Sequence, residues 1–253
     1  MPFRLTENNM IADGEALGVI RGMLPDNHRV AAYRQYKDIV TALAADRRML
    51  EIGAGRRPLL TPEEIKARNI RYTANDIVRT ELDLIPFPVE TAVFDSCGEI
   101  SPEWTGCFDV ICSKMVQEHV SSGERFYRNI LRLLSNGGVA LNFHPTLYCP
   151  PFLINRAFPE HVTRAVLRFF KPERNSGDVP KFPATYELCY SSAATADVIS
   201  KIGFSAVHIF PFYHHEYFTG IPGLRSLDEA LSAWARRGDV RALSSYAYTV
   251  VIK

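Results

Sequence analysis

The residues of this chain best suited to chemistry stand at the ends of short apolar runs. "RMLEI" (48–52) carries Glu51 and runs straight into Gly53-Ala54-Gly55. Two glycines spaced one apart allow a sharp backbone turn and the close approach of a ligand. "IRYTAND" (70–76) ends in Asp76, "TAVFD" (91–95) in Asp95, and "FDVICS" (108–113) in Ser113 with Lys114 behind it. A carboxylate placed as Asp76 is can accept both hydroxyls of a ribose, and it would repel a 2′-phosphate, which argues against NADP. Asp95, or the backbone beside it, can read an adenine edge. Ligands of open α/β sheets bind at the carboxyl ends of the strands, so these residues point to a nucleotide-type cofactor. A dinucleotide fingerprint needs a third glycine where Pro58 stands, and no pyrophosphate is expected here.

The elements that must carry these residues are legible from pattern. Residues 28 to 46 read as a helix, with Tyr33, Tyr36, Val40 and Leu43 on one face. "TPEEIKAR" (61–68) has its own start signal: Thr61 as cap, Pro62 at the first helical position, and Glu63 and Glu64 at the positive end. Residues 123 to 138 read as a helix with a stripe of Phe126, Ile130, Leu133 and Leu134, stopped by Gly137 or Gly138. "VALNFHP" (139–145) is the fifth strand. A helix followed by alternating strands and helices predicts an α/β fold with a parallel, doubly wound sheet.

Residues 145 to 192 break that rhythm. They are rich in proline and aromatics, include one further helical stretch at 161–170, and read as a lid inserted over the ligand edge. "ATADVISKIGF" (194–204) returns to a helix ending at Gly203. "SAVHIFPFY" (205–213) and "SSYAYTVVIK" (244–253) read as the last two strands. Between them, "SLDEALSAWARRG" has a capping-box pair in Ser226 and Glu229, an apolar face of Leu227, Leu231 and Trp234, and a stop at Gly238. The expectation is one domain over residues 1–253, with a helical segment at 1–46 and the lid within it.

Composition excludes some classes. Lys plus Arg is 29 against 28 Asp plus Glu, without the strongly basic balance of a dedicated nucleic-acid binder. No apolar run reaches the length of a membrane span, and the first residues lack a signal-peptide layout. The 5 cysteines are odd in number and form no CxxC, so they read as reduced thiols of a cytoplasmic protein rather than a disulfide framework or zinc site.

Taken in order, the strand-end motifs resemble those of the class I S-adenosylmethionine-dependent methyltransferases. "MLEIGAG" is similar to the first motif of that family, "YTANDIV" to the strand with the ribose-binding acid, and "VFDSCGEI" to the adenine-side segment. "FDVICSKMVQEHV" resembles the fourth-strand motif of the small-molecule branch. "LRLLSNGGVALNF" resembles the turn before strand five, with Ser135-Asn136 in place of the usual basic-proline pair. The resemblance covers about residues 28–144 and 194–253 and implies a mostly parallel seven-stranded sheet closed by an antiparallel hairpin. It implies S-adenosylmethionine as cofactor, held by Glu51, Gly53, Gly55, Asp76, Asp95 and Ser113, with no metal. Two departures stand out: Arg57 where a glycine is common, and a longer loop after Gly55. The roles of Arg56 and Arg57 stay open.

Methyl transfer mainly requires alignment of two reactants, and a hydroxyl acceptor adds a need for a general base. His144, placed just past strand five, is the first candidate and His119 the second. His214 and His215 follow strand six, and Tyr186, Tyr148 and Glu118 are weaker candidates. The aromatic stretches "HPTLYCPPFLINRAF" and "FPFYHHEYF" suit an acceptor pocket or a homodimer interface. The expected acceptor is a small molecule, with O-methylation of a sugar or another biosynthetic metabolite the favoured case. A nucleic-acid methyltransferase would show a basic stripe or an Asn/Asp-Pro-Pro-aromatic motif after strand four, where "SKMVQEHV" stands instead. The Cys149-Pro-Pro triplet follows strand five and is discounted as a nucleophile. A protein substrate, or a non-catalytic binding module that keeps the cofactor, is the remaining alternative.

Overall fold

The computed structural model of the chain describes residues 13–24, 32–147, 182–215, 218 and 222–253. Seven strands form one sheet in the order β3-β2-β1-β4-β5-β7-β6. They are β1 (Arg48–Ile52), β2 (Arg71–Asp76), β3 (Glu90–Val93), β4 (Phe108–Lys114), β5 (Leu134–Pro145), β6 (Ala206–Phe212) and β7 (Tyr246–Ile252). The first five pair in parallel; β7 runs antiparallel to both β5 and β6. β6 is therefore parallel to β5, and its end lies at the same edge as the ends of β1 to β5.

The helices are α1 (Asp13–Met23), α2 (Ala32–Ala44), α3 (Pro62–Ala67), α4 (Arg79–Leu82), α5 (Gly123–Leu133), α6 (Ala193–Ser200) and α7 (Pro222–Arg237). Side chains alternate across the strands, so the sheet divides the core in two. Met49, Val110, Cys112, Val139 and Leu141 pack on one side with Ala16, Ile20, Tyr36, Ile39 and Leu43 of α1 and α2. Leu50, Ile52, Ile111 and Ala140 pack on the other with Phe126, Ile130 and Leu133 of α5 and Ile199 of α6. On the first side an aromatic group gathers at the ligand edge, where Phe143 makes ring contacts with Tyr33, Tyr36, Tyr246 and Tyr248. At the opposite edge Arg48 and Asp109 pin the starts of β1 and β4, with guanidinium-to-carboxylate distances of 3.0 and 3.2 Å.

Local signals explain most boundaries. Thr61 caps α3 as expected: its hydroxyl accepts from the Glu64 amide, and the Glu64 carboxylate accepts from the Thr61 amide at 2.8 Å. Three expectations are corrected. α5 stops at Leu133, and Gly137 (φ 72°) lies instead in an irregularity of β5 opposite Phe108–Val110. α7 begins at Pro222, so Ser226 lies inside the helix and does not cap it. The stripe of Leu227 and Trp234 on α7 is exposed at 67% and 57%, while Ala235 is buried; helical period predicts that a face exists, not what covers it. Of the expected lid, only residues 145–147 and 182–192 are described; the helical stretch at 161–170, Tyr148 and Cys149 lie outside the described residues. Among the described residues no helix is long and apolar enough to cross a membrane.

One buried side chain ties α2 to the sheet. The Tyr36 hydroxyl lies 2.7 Å from the Ser113 carbonyl of β4 and 3.0 Å from the Leu141 carbonyl of β5. Tyr36→Phe keeps the ring and removes this link. It is expected to lower unfolding free energy by about 1–2 kcal/mol, as read from urea denaturation; an unchanged midpoint and slope would show that α2 is anchored by packing alone.

Candidate functional site

Strand order reverses between β1 and β4. β2 and β3 lie to one side; β5, β7 and β6 lie to the other. The carboxyl ends of β1 and β4 therefore bound the crevice in which such sheets bind ligands. The loop leaving β1 turns through Gly53 (φ 72°) and Gly55 (φ 54°), conformations that disfavour any residue with a Cβ. A Cβ on Gly53 would lie 2.3 Å from Cγ2 of Val116, in the turn that follows β4. The two sides of the crevice thus touch through a position that only glycine can fill. Met115, just past β4, is itself left-handed (φ 58°), and its N–H donates to the Phe143 carbonyl at 2.8 Å.

The acids differ in what they do. Asp76 is half-buried at the end of β2. Its Oδ2 accepts from the Gly55 amide at 3.0 Å and its Oδ1 from the Val78 amide at 2.9 Å. These bonds aim the carboxylate and leave further acceptor capacity on both oxygens. Glu51 is buried beneath the loop. Its Oε2 accepts from the Leu59 amide at 2.9 Å and from the Tyr72 hydroxyl. Burial pushes its carboxyl up, and the Tyr72 hydroxyl, the Leu59 amide and the charge of Lys114 oppose that shift. Glu51 thus ties the far end of the loop to the sheet. Asp95 is exposed beyond β3. Its Oδ1 accepts from the Cys97 amide at 2.8 Å, which orients the turn after the strand. Asn75, next to Asp76, donates to the carbonyls of Ala92 and Phe94 at 2.9 and 3.1 Å and so fixes β3 beside β2.

The structure brings Gly53, Gly55 and Asp76 together and sets Glu51 under them. Ser113 is fully buried in β4, where its hydroxyl donates to Asn142 at 2.8 Å. Arg56 forms a two-pronged ion pair with Glu81 of α4, at 2.7 and 2.5 Å, and this contact holds the Glu81 carboxyl below its ordinary range. Arg57 is exposed.

The histidines separate clearly. His144 lies within β5, opposite Ala247 of β7, rather than just past the strand. It is fully buried with both ring nitrogens engaged: Nδ1 is 3.0 Å from the Pro145 carbonyl and Nε2 is 2.9 Å from the Thr249 hydroxyl. Burial lowers it to about 4. His119 is exposed on the turn Gln117–His119, with Nδ1 3.2 Å from the Pro183 carbonyl. A carbonyl only accepts, so this contact sets the Nδ1–H tautomer and leaves the Nε2 lone pair. His214 is exposed, while His215 is buried and pairs with Asp228 of α7 at 3.1 Å.

Sequence reasoning missed the partners that hold these groups. Tyr72, Asn75, Val116, Glu81 and Thr249 carry no motif of their own. The signal available for Tyr72 and Asn75 was their place on the strand that ends in Asp76. Nothing in the pattern marks Glu81 as the partner of Arg56.

The arrangement has counterparts. Residues 40–142 match a family model described as a methyltransferase domain. That span contains the whole crevice, from β1 to the body of β5. Solved structures share the fold. A SAM-dependent methyltransferase from Archaeoglobus fulgidus is 16% identical with a TM-score of 0.51, covering 86% of this chain and 94% of that one. An S-adenosylmethionine-dependent methyltransferase from Mesorhizobium loti is 13% identical with a TM-score of 0.52, covering 88% and 98%. Phosphoethanolamine N-methyltransferase 2 from Haemonchus contortus, solved with S-adenosyl-L-methionine, is 15% identical with a TM-score of 0.51, covering 95% of this chain and 58% of that one. At these identities the likeness is one of fold. No curated protein sequence matches the chain.

The burial of His144 has a measurable consequence. Its folded value of about 4 lies below the ordinary 6.5, so between those values the unfolded chain binds the proton and the folded chain does not. The stability that depends on a neutral His144 is complete above about pH 6.5 and is lost as pH falls toward 4, on the order of 3 kcal/mol in all. In urea denaturation, the difference between wild type and His144→Gln is expected to shrink over that window. A difference independent of pH would place the ring in contact with solvent.

Proposed function

We propose that this chain, whose residues 40–142 match a methyltransferase-domain model, is a class I S-adenosylmethionine-dependent methyltransferase that transfers the cofactor's methyl group to a nucleophilic atom of a small molecule. The observation that carries the reading is the crevice itself, in which a glycine turn closed against Val116 hands its Gly55 amide to the strand-end acid Asp76.

The residues present suit this cofactor. The conformations at Gly53 and Gly55 bring bare backbone to the crevice, where a cofactor's methionine portion can approach. Asp76, already oriented by two amides, has the capacity to accept both ribose hydroxyls. Asp95 stands on the adenine side. Glu51 and Arg56 act behind the site, the first holding Leu59 and the second Glu81. Ser113 and His144 are buried in the sheet, where they bond Asn142 and Thr249. When bound, the cofactor supplies an electrophilic methyl group with a neutral leaving group. The chain's task is then to orient the acceptor and exclude water, and orientation alone can contribute on the order of 7 to 11 kcal/mol.

The acceptor side is formed by the turn Gln117–His119, the end of β5, and residues 182–190. That segment is bound to the turn: the Thr185 and Tyr186 amides donate to the Glu118 carbonyl at 2.7 and 3.1 Å, and Gln117 donates to the Leu188 carbonyl at 3.0 Å. The near balance of charge supports an uncharged or weakly charged small molecule, and a hydroxyl of a sugar or another biosynthetic metabolite is the acceptor we favour. His119, exposed on that turn with Nε2 toward the Glu118 carboxyl, is the histidine we assign to the acceptor side. The 4 free cysteines among the described residues support a cytoplasmic site of action.

S-adenosylhomocysteine is expected to bind with micromolar affinity by calorimetry. Asp76→Ala is expected to weaken that binding at least tenfold, since it removes a charged acceptor of hydrogen bonds. No heat with either S-adenosyl ligand would sink the reading.

A further inference from the structure

One carboxyl group at the acceptor side has no structural task. Glu118 sits in the turn after β4, two residues from Val116, and is buried. Its backbone carbonyl is heavily used, accepting from the Thr185 and Tyr186 amides and from the Thr185 hydroxyl. Its side chain is not. Oε2 has no hydrogen-bond partner among the described residues, and His119 Nε2 lies 3.9 Å from Oε1, beyond hydrogen-bond reach.

The other titratable group that feels Glu118 is the buried thiol of Cys189, on the segment folded over the turn. Neither residue donates a good hydrogen bond to the carboxyl. A buried polar group without a partner is costly. The cost falls at the ligand edge, beside Met115, Tyr186 and Leu188, three non-glycine residues with φ of 58°, 57° and 55°. Strained backbone of this kind gathers at functional sites.

We propose that Glu118 is the group that receives the acceptor, its carboxyl taking the polar hydrogen of the acceptor's nucleophilic atom. This rests on the methyltransferase reading. The acceptor's proton passes to the Glu118 carboxylate as the bond from the nucleophilic atom to the methyl carbon forms. The carbon–sulfur bond breaks with its electron pair kept on sulfur, and the carboxyl then releases the proton to water. Burial raises Glu118 to about 8, near the range in which a general base works best at neutral pH. A hydroxyl gives up its hydrogen as it attacks, whereas an ammonium group first passes a proton to the carboxylate and the neutral amine, with its freed lone pair, then attacks; both place a polar hydrogen on the Glu118 carboxyl.

Two measurements test this. First, Glu118→Met replaces the unpartnered carboxyl with an apolar chain of similar size. If the carboxyl is kept for a ligand, Tm at pH 7 rises by about 2 to 4 °C; a fall in Tm shows a structural role and overturns the proposal. Second, the Glu118 carboxyl carbon is followed by 13C NMR in protein saturated with S-adenosylhomocysteine, with Glu118→Gln giving the assignment. Ethylene glycol and ethylammonium are the probes.

A shift with ethylene glycol alone supports a hydroxyl acceptor. A shift with ethylammonium, with the titration midpoint lowered by at least about one pH unit, supports an amine. No response to either probe overturns the proposal. Failure of S-adenosylhomocysteine to bind the wild type would instead remove the methyltransferase reading, so the two failures are distinguishable.

Discussion

The Gly55 amide donates to the Asp76 carboxylate at 3.0 Å, and the shape of the crevice depends on that bond. It closes the loop after β1 onto the end of β2. The second carboxylate oxygen holds the Val78 amide and so starts the next connection. From below, Glu51 holds the loop again at Leu59. From across the crevice, Val116 leaves no room for a side chain at Gly53. A flexible glycine turn is thereby held in one conformation by contacts to β1, β2 and the turn after β4. Preorganisation of this kind spares the ligand the cost of ordering the loop.

The sheet exists to bring those three strand ends together. β1 and β4 are neighbours although two strands and their helices separate them in sequence. The core enforces this through alternation: Met49 and Val110 pack to one side, Leu50 and Ile111 to the other. A slip of one residue in either strand would reverse its faces. Arg48 and Asp109 fix the register at the far edge, so the near edge, where Gly53 and Val116 meet, inherits it.

Much of this is legible in the sequence. β1 was read at its observed residues, and β2, β4, β6 and β7 within a residue or two at each end, because short buried runs bounded by turn residues have few alternatives. Gly53, Gly55 and Asp76 were legible because strand ends carry sites in such sheets. What was not legible shares a physical cause: it depends on partners distant in sequence. The end of α5 was read too late because Leu134 continues the apolar stripe while pairing with Phe108. His144 was read as standing at the ligand edge, and whether it faces a ligand or Thr249 is decided by pairing with β7, 105 positions away. Arg56 stayed open because Glu81 lies on a four-residue helix with no signal of its own. Among the polar side chains of the interior, Ser113 bonds Asn142 and His144 bonds Thr249, while Glu118 Oε2, like Asn142 Nδ2, has no hydrogen-bond partner among the described residues.

The central claim is that the cofactor lies in the crevice between β1 and β4 with its ribose on Asp76. A crystal structure of the chain with S-adenosylhomocysteine tests it most directly. The account requires both ribose hydroxyls within about 3 Å of the Asp76 carboxylate oxygens, with the homocysteine portion along Gly53 and Gly55. Density for the ligand elsewhere, or a ribose turned away from Asp76 with the Gly55 bond intact, would contradict it.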